Sequence, residues 1–588
     1  MKSASYLLTS VVVSASLIVL TACGGGSSSS DNQTGTKTGV LLPGPISGVA
    51  YKTETQSGFT NEKGEFSYLT GEHVQFSIGE IELGKTTAQK VITPFDIFDF
   101  DPLYAKNFEK FSSDLRDITK PSAAVNWTML LLSLDADNNP SNGIKIPNTL
   151  HTLLDEPFNL WFRTRDAYNN SSSEFNSLMA KTRLAGVWAG AHKAFTPHLA
   201  AKWLYDSLGL KPKLYKRTQY SLDVSPIDVD NSNDYSEKYT YDPATRTVQY
   251  GYTYGSSPME YVSYRIYDEN QHPAKERDEL GYTIETQYTA DYLLSSSLTD
   301  LNGDGATISK TTYEHDGNGF VSSATVDNNN DGSIDEIVLY EHDAAGFEYK
   351  KTSNGEAVID TIYDEQGKKT EYVWLAYRYK YYYNDQNQLS AKEEYTKVSL
   401  IHRITEKYYY TGGKLSKTEY YKGSEAVLTK IVYTEYDGLS TTIKTDERAD
   451  GSINSIMTFS KDQAGRSLGI EQDYNADGIV DYKSVSGYDD FGNLIYSELF
   501  TGRYPMSITE LDYDENHALI RERHISYTPT TELKQVSPVQ YYYDENSALT
   551  KWEKYSSIDG SVIERRTTEV ELRELNWWDA YYEDTLFD

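Results

Sequence analysis

The sequence predicts a mainly β protein: a small N-terminal β-sandwich-like module, a helical middle segment and a C-terminal repetitive antiparallel β-array. Three observations predict it. An oxygen-rich bend and a Tyr-Asp corner recur at a constant offset in the second half of the chain. Asp473, Asn475, Asp477, Gly478 and Asp481 hold positions 1, 3, 5, 6 and 9 of one bend, and Tyr488-Asp489 with Gly492 makes the corner after it. Asp327, Asn329, Asp331, Gly332 and Asp335, then Asp343 and Gly346, restate it; 16 residues separate bend from corner in both copies. Fainter copies begin at Asp300 and Asp446, each 27 residues before a full one. A fixed period with fixed internal spacing marks a repeat architecture. The second observation is composition: 51 Tyr against 18 Phe and 38% hydrophobic residues suit thin, two-faced sheets better than a thick apolar interior. The third is a change of hydrophobic period, from two near the N-terminus to helical spacing in the middle.

At 588 residues the chain is too long for one core. It opens with Lys2 and an apolar run from Tyr6 to Leu20, so residues 1–22 read as an export signal. Leu20-Thr21-Ala22-Cys23 resembles a bacterial lipobox, which implies that Cys23 is lipidated and becomes the N-terminus. Gly24 after it resembles the pattern sorted to the outer membrane; whether the protein then faces periplasm or outside stays open. Buried acyl chains contribute about 0.8 kcal/mol per CH₂, so the membrane is the first expected partner. Residues 23–39 comprise this Cys and a Gly/Ser tether.

In residues 40–98, Val49/Tyr51, Phe66/Tyr68, Val74/Phe76/Ile78 and Ile81/Leu83 alternate as strands do. The segment resembles carboxypeptidase-regulatory-like sandwich modules, which implies a spacer or adhesion unit without an active site. Residues 99–212 read as mainly helical. Ala123, Trp127, Leu130, Leu131 and Leu134 share a helical face that starts at Pro121-Ser122; Leu150/Leu153/Leu154, a stretch around Leu178, and Leu199/Trp203 suggest more helices. Asp135, Asp137 and Asn139 sit at offsets 1, 3 and 5, with Pro140 where a cation loop would carry Gly; a cation loop and an Asx-type helix end both fit.

Residues 213–575 form the array. Corners fall at Asp242, Asp268, Asp316, Asp343, Asp364, Asp437, Asp489, Asp514 and Asp544, with degenerate ones at Asn384, Thr411 and Asp462. The spacing leaves room for two or three strands between corners. In each corner Asp is expected to bond its own downstream N–H groups while Tyr covers the strand end. Residues 576–588 read as a capping strand and acidic aromatic tail. Tyr363-Asp364-Glu365-Gln366-Gly367, Tyr488-Asp489-Asp490-Phe491-Gly492-Asn493-Leu494 and Tyr543-Asp544-Glu545-Asn546 resemble the YD-repeat family of Rhs, teneurin and toxin-complex shells. The resemblance covers a little over half the chain and implies a long spiralling sheet, sometimes closed as a shell. Only 44 residues follow Asp544, too few for a separate toxic enzyme domain.

The bends are the candidate metal sites. Ca²⁺ takes oxygen ligands, and a short loop supplies them from side chains at 1, 3 and 5, a carbonyl at 7 and an acid at 9, with Gly at 6 for the bend. Asp327, Asn329, Asp331 and Asp335 with the Ser333 carbonyl meet that list, as do Asp473, Asn475, Asp477 and Asp481 with the Ile479 carbonyl. Asp300, Asn302 and Asp304 form a partial site lacking the last acid, and Arg448 spoils the Asp446 copy. Structural Ca²⁺ at about 10⁻⁴–10⁻³ M affinity is the expectation. The competing reading is that Asp, Asn and Gly simply favour tight turns.

A net charge of −32 argues against nucleic acid as partner, and a single Cys excludes an internal disulfide framework. No HExxH pair, P-loop or dinucleotide fingerprint occurs, and no catalytic residue is assigned. The sequence reads as a lipid-anchored cell-envelope protein whose calcium-braced array is a binding or adhesion surface for a glycan or protein ligand. Two alternatives stay open: an envelope enzyme acting on glycan or peptide with the array as scaffold, and an Rhs-related toxin or immunity component.

Overall fold

The computed structural model describes residues 35–582, apart from 165, 167–172, 189–191, 193, 225–234, 255–256, 270–271, 290–292, 301–308, 317–319, 343–347, 364–368, 375–376, 387, 397–400, 528–533 and 546. The protein is mainly β, with 53% strand and 13% helix among the described residues.

The N-terminal strands make two small sheets. One has the order Glu65–Tyr68, Lys37–Leu41, Val91–Ile92; the other runs Ser57–Phe59, Ala50–Lys52, His73–Ile78, Ile81–Thr87. The alternation expected from the sequence is the burial pattern seen, since Val74, Phe76 and Ile78 are all fully buried. The first strand starts at Lys37, inside the stretch read as tether, and Lys37 to Val40 pair with Tyr68 to Glu65. This module does not stand apart from the helical segment. Ile46–Ser47 pairs in parallel with Ile144–Lys145, and one apolar core runs through both.

The central helix is Lys120–Ser133. Thr119 caps it: its hydroxyl accepts from the Ser122 N–H, and Pro121 lies in the first turn, where no N–H is needed. Every residue from Pro121 to Ser133 is buried, so the helix is enclosed on all sides rather than amphipathic. Helices Phe108–Arg116, Glu174–Leu184 and Pro197–Ser207 accompany it, while Leu150–Leu153 is a single turn. Asp135, at the end of the central helix, takes the Asx-type role. Its carboxylate accepts from the N–H groups of Lys145 (2.8 Å) and Asn139 (3.0 Å). Burial pushes its carboxyl up to about 6.

From Lys213 to Glu574, 28 described strands form one antiparallel sheet in sequence order, and the sheet closes. The first strand, Lys213–Val224, pairs with the last, Val562–Glu574, from Lys213↔Glu574 to Val224↔Glu564. Closure removes the two exposed edges that a sheet this long would otherwise present. The closing strand thus lies within the segment read as array, and the capping strand expected in residues 576–588 is not found among its described residues. The aromatic run after the closing strand is a helix, Trp577–Tyr582, rather than a tail: Trp577, Ala580 and Tyr581 are buried in the apolar core. Its ring-rich face gains more from burial there than from extension into water.

Because strands alternate in direction, the loops divide between two rims. The described Tyr-Asp corners lie on one rim, and the Asp327, Asp446 and Asp473 bends lie on the other. The N-terminal domain sits over the corner rim as a lid. Lys120 N–H donates to the Phe491 carbonyl (3.1 Å), Tyr215 N–H to Lys106 (2.7 Å), and the Arg183 guanidinium lies 5.8 Å from the Phe320 ring. The apolar core belongs to this lid. Among the described residues the array adds only Leu214, Phe491 and Leu575 to it, with Trp577, Ala580 and Tyr581 from the last helix.

Candidate functional site

The Tyr-Asp corners are built by their own residues. The Asp489 Oδ1 atom accepts from the N–H groups of Phe491 (3.0 Å), Gly492 (2.9 Å) and Asn493 (2.8 Å). The same i to i+4 bond recurs at Asp514 with Ala518 (2.8 Å), at Asp544 with Ala548 (3.0 Å) and at Asn384 with Gln388 (2.9 Å). Gly492 has φ of 112°, and a Cβ there would meet the Ile118 carbonyl at 2.8 Å, so Gly serves both the turn and the lid. The corners at 343–347 and 364–368 lie outside the described residues.

At four corners the Tyr does something the sequence did not suggest. A register shift falls immediately before it, at Tyr382/Tyr383, Tyr409/Tyr410, Asp512/Tyr513 and Tyr542/Tyr543. The extra residue lies on the strand leaving the corner, opposite the Tyr: Ser390, Ser416, Ile520 and Thr550. Each of these phenols donates to a backbone carbonyl of the preceding hairpin: Tyr383 to Lys369 (2.9 Å), Tyr410 to Leu389 (2.9 Å), Tyr513 to Leu494 (3.0 Å) and Tyr543 to Leu519 (2.8 Å). At these four corners the tyrosine thus fastens one repeat to the one before it.

A second motif also went unread. The tyrosine before the corner tyrosine points to the other face and shares a glutamate with a tyrosine of the next strand. Tyr382 and Tyr395 both donate to Glu393 (2.8 and 2.7 Å), and Tyr409 and Tyr421 both donate to Glu419 (2.6 and 2.7 Å). At Glu553, Tyr555 donates directly (2.9 Å) and Tyr542 meets Tyr555 (2.7 Å). Lys417 lies 3.9 Å from the Tyr409 ring and Lys551 lies 4.0 Å from that of Tyr542. Burial disfavours the Glu419 charge, but bonds from Lys417, Tyr409 and Tyr421 outweigh it and hold the carboxyl down at about 2. Arg565, Tyr555 and Lys551 do the same for Glu553 against its burial, again to about 2. The signal available in the sequence was the repeated spacing of a Tyr triplet followed by Glu-x-Tyr.

Both faces of these strands carry charge at mid-length. Lys417 and Glu419 pair on one face (2.8 Å), Lys392 and Glu406 on the other (3.6 Å). A cation on the lipid side of a membrane barrel costs about 2–4 kcal/mol at the midplane. At these strands both faces therefore suit water better than lipid. No helix among the described residues is long and apolar enough to cross a membrane.

On the rim away from the lid, the two full bends have one conformation. Asp327 accepts from Asp331 N–H (3.1 Å) and Gly332 N–H (2.8 Å), and Asp335 accepts from Asn328 N–H (2.7 Å). Asp473 accepts from Asp477 (3.2 Å) and Gly478 (2.9 Å), and Asp481 from Tyr474 (2.7 Å). Gly332 and Gly478 have φ of 92° and 86°, as the Gly at position 6 requires. The Ser333 N–H, bonded to Asp331, holds that carboxyl below its ordinary range. The Asp446 copy, with Arg448 at position 3, takes the same shape: Asp446 accepts from Asp450 (3.3 Å) and Gly451 (2.8 Å), and Asn454 replaces the acid at 9 by accepting from Glu447 N–H (2.7 Å). The bend is thus formed by the first Asp and the backbone. Among the described residues no group of three or more His, Cys, Asp or Glu is arranged to hold a metal. The oxygen donors that Ca²⁺ would use are written in each full bend, and the Asp and Asn side-chain oxygens accept from backbone N–H groups there. Asp300 ends the strand Leu294–Asp300, while Asn302, Asp304 and Cys23 lie outside the described residues.

At the closure seam a cavity of about 450 Å³ is bordered by Phe108, Leu214, Tyr241, Tyr267, Arg573 and Asp579. Asp579, buried on the last helix, accepts from Lys216 of the first ring strand (3.1 Å) and from the Tyr267 phenol (2.5 Å), with Arg265 at 4.0 Å. Burial pushes the Tyr267 phenol well up, so it remains a donor.

No family model matches the chain, and no curated protein matches it. Among solved structures the chain is similar to the TcdB2-TccC3 crystal structure, at 11% identity and TM-score 0.23, over 55% of this chain and 23% of that one. It is also similar to the Photorhabdus luminescens Tc holotoxin pore, at 11% identity and TM-score 0.17, over 71% and 30%. A porin-like protein from Bacteroides uniformis is similar at 8% identity and TM-score 0.13, over 60% and 96%. The chain thus spans less than a third of the two Tc proteins it matches, and similarity at these scores transfers no activity.

Proposed function

We propose that this chain is a lipid-anchored cell-envelope protein whose closed β-array works as a binding surface, with Ca²⁺ bracing the bends of one rim. The observation that carries the reading is the division of the two rims. The lid covers the corner rim, while the acidic bends on the other remain at the surface, with Ile334 and Ile479 55% and 64% exposed beside them. Cys23 supplies the membrane attachment, and a glycan or protein at the envelope is the ligand class. Fractionation tests the anchor: Cys23→Ala should move the protein from the membrane to the soluble fraction, and unchanged sedimentation with membranes would refute it. Binding of Ca²⁺ to the full chain, followed by titration calorimetry, tests the bracing.

A second reading, a shell component of a toxin-complex type, is favoured by the ring closing on itself beneath a lid. It predicts a polypeptide that co-purifies with the chain and resists added protease until the ring is unfolded; purification of the chain alone from its native cells counts against it.

A further inference from the structure

We propose that Lys110 and Asn493 form an intramolecular isopeptide bond that fastens the lid covalently to the array. Lys110 Nζ donates to Asn493 Oδ1 at 2.7 Å across a junction of residues 383 apart in sequence. The same Nζ lies 2.5 Å from Asp114 Oδ1, one helical turn along Phe108–Arg116, and the other oxygen of Asp114 accepts from the Tyr104 phenol at 2.5 Å. The amide nitrogen of Asn493 donates to Asp489 Oδ2 at 2.8 Å, with His517 Nδ1 at 3.4 Å. The group is largely screened from water. The Lys110 and Asp114 side chains are 14% and 4% exposed and Asn493 is 5% exposed. The rings of Phe491 and Tyr513 lie 5.4 and 5.8 Å from the ammonium.

An amine, a carboxamide and a carboxyl group held together in a dry aromatic pocket are the reactants and proton carrier for transamidation. Proximity of this kind replaces a bimolecular encounter with an intramolecular one. Asp114 takes a proton from the Lys110 ammonium; its burial, which raises its pKa, favours the neutral acid. The free amine attacks Asn493 Cγ and the Nζ–Cγ bond forms. Asp114 relays a second proton from Nζ to Nδ2, the Cγ–Nδ2 bond breaks, and ammonia leaves with the first proton as ammonium. One ammonium and one carboxamide become one secondary amide and one ammonium, so charge balances and no oxidant or reductant enters. An ordinary ion pair uses the same Lys and Asp but leaves the amide of Asn493 intact.

Peptide mapping of the purified full chain by mass spectrometry decides between them. The expected product is one linked peptide containing Lys110 and Asn493, lighter than the two parents by one ammonia, about 17 Da. Trypsin should also fail to cut after Lys110. Lys110→Arg keeps the cation facing Asp114 but has no attacking amine, and Asp114→Asn keeps both reactants but removes the proton carrier; each should return two separate peptides. Separate Lys110 and Asn493 peptides at full mass from the folded wild-type chain would overturn the proposal. So would loss of ammonia confined to the Asn493 peptide, which is cyclisation of that Asn alone.

Discussion

Tyr543 donates its phenolic hydrogen to the carbonyl oxygen of Leu519 at 2.8 Å, 24 residues back in the chain. That bond ties the strand entering one corner to the strand leaving the corner before it. It makes the array a series of fastened units rather than a run of independent hairpins.

Removing the hydroxyl tests this directly. Tyr543→Phe keeps the ring and loses one hydrogen bond, so it should lower stability by about 1 kcal/mol. Tyr513→Phe should do the same, and the pair, acting at successive corners, should add to about twice that. Urea unfolding midpoints report the effect. A wild-type midpoint for both single variants would mean the bond contributes nothing.

Stability should also fall in acid through the shared glutamates. Glu419 and Glu553 are held at about 2, against an ordinary value of 4.5. The folded-state value is the lower one, so the stabilisation is fully present above pH 4.5 and is lost as pH falls toward 2. Melting followed from pH 6 to pH 2 should drop across that window. Glu419→Gln with Glu553→Gln should flatten the drop and leave a lower plateau at pH 6.

Calcium should raise the melting temperature and EDTA reverse it. At ten times the dissociation constant, each occupied bend contributes about 1.4 kcal/mol. Asp331→Asn with Asp477→Asn should abolish the response, because position 5 supplies a carboxylate to the ion. Asp450→Asn, in the copy that carries Arg448, should leave it unchanged. Since the bends already hold their shape through backbone bonds, melting indifferent to calcium would assign the acids to turn formation alone.

Asp579 should be the sensitive point of ring closure. It is buried on the last helix, facing Lys216 of the first ring strand and Arg265. Asp579→Ala leaves those cations facing a void, and breaking a buried pair in this way costs about 3–5 kcal/mol. The measurement is equilibrium unfolding with hydrogen exchange along Lys213–Val224 and Val562–Glu574. Protection lost at those two strands first would locate the opening at the seam; uniform loss would not.

Much of the fold was legible because it is local. The alternation around Phe76, the helical spacing around Trp127 and the Asp-to-N–H closure at Asp489 each involve residues within a few positions of one another. Position 6 of each bend needs a residue that accepts positive φ, and Gly is written there. What escaped was carried by partners far apart. The reach of Tyr543 depends on a bulge that no periodicity records. The burial of Trp577 and Tyr581 depends on a lid supplied by the other end of the chain.

The sequence by itself determined the repeat and, implicitly, the two rims. A nine-residue bend followed by a seven-residue strand brings the next corner to the opposite end, as in Tyr482–Tyr488 between Asp473 and Asp489. Only the tertiary structure decided that the sheet closes, that a lid covers the corner rim, and that Lys110 meets Asn493. Those are pairings across hundreds of residues, set by how accumulated strand twist brings distant edges together. Neither composition nor spacing at any single position carries that sum.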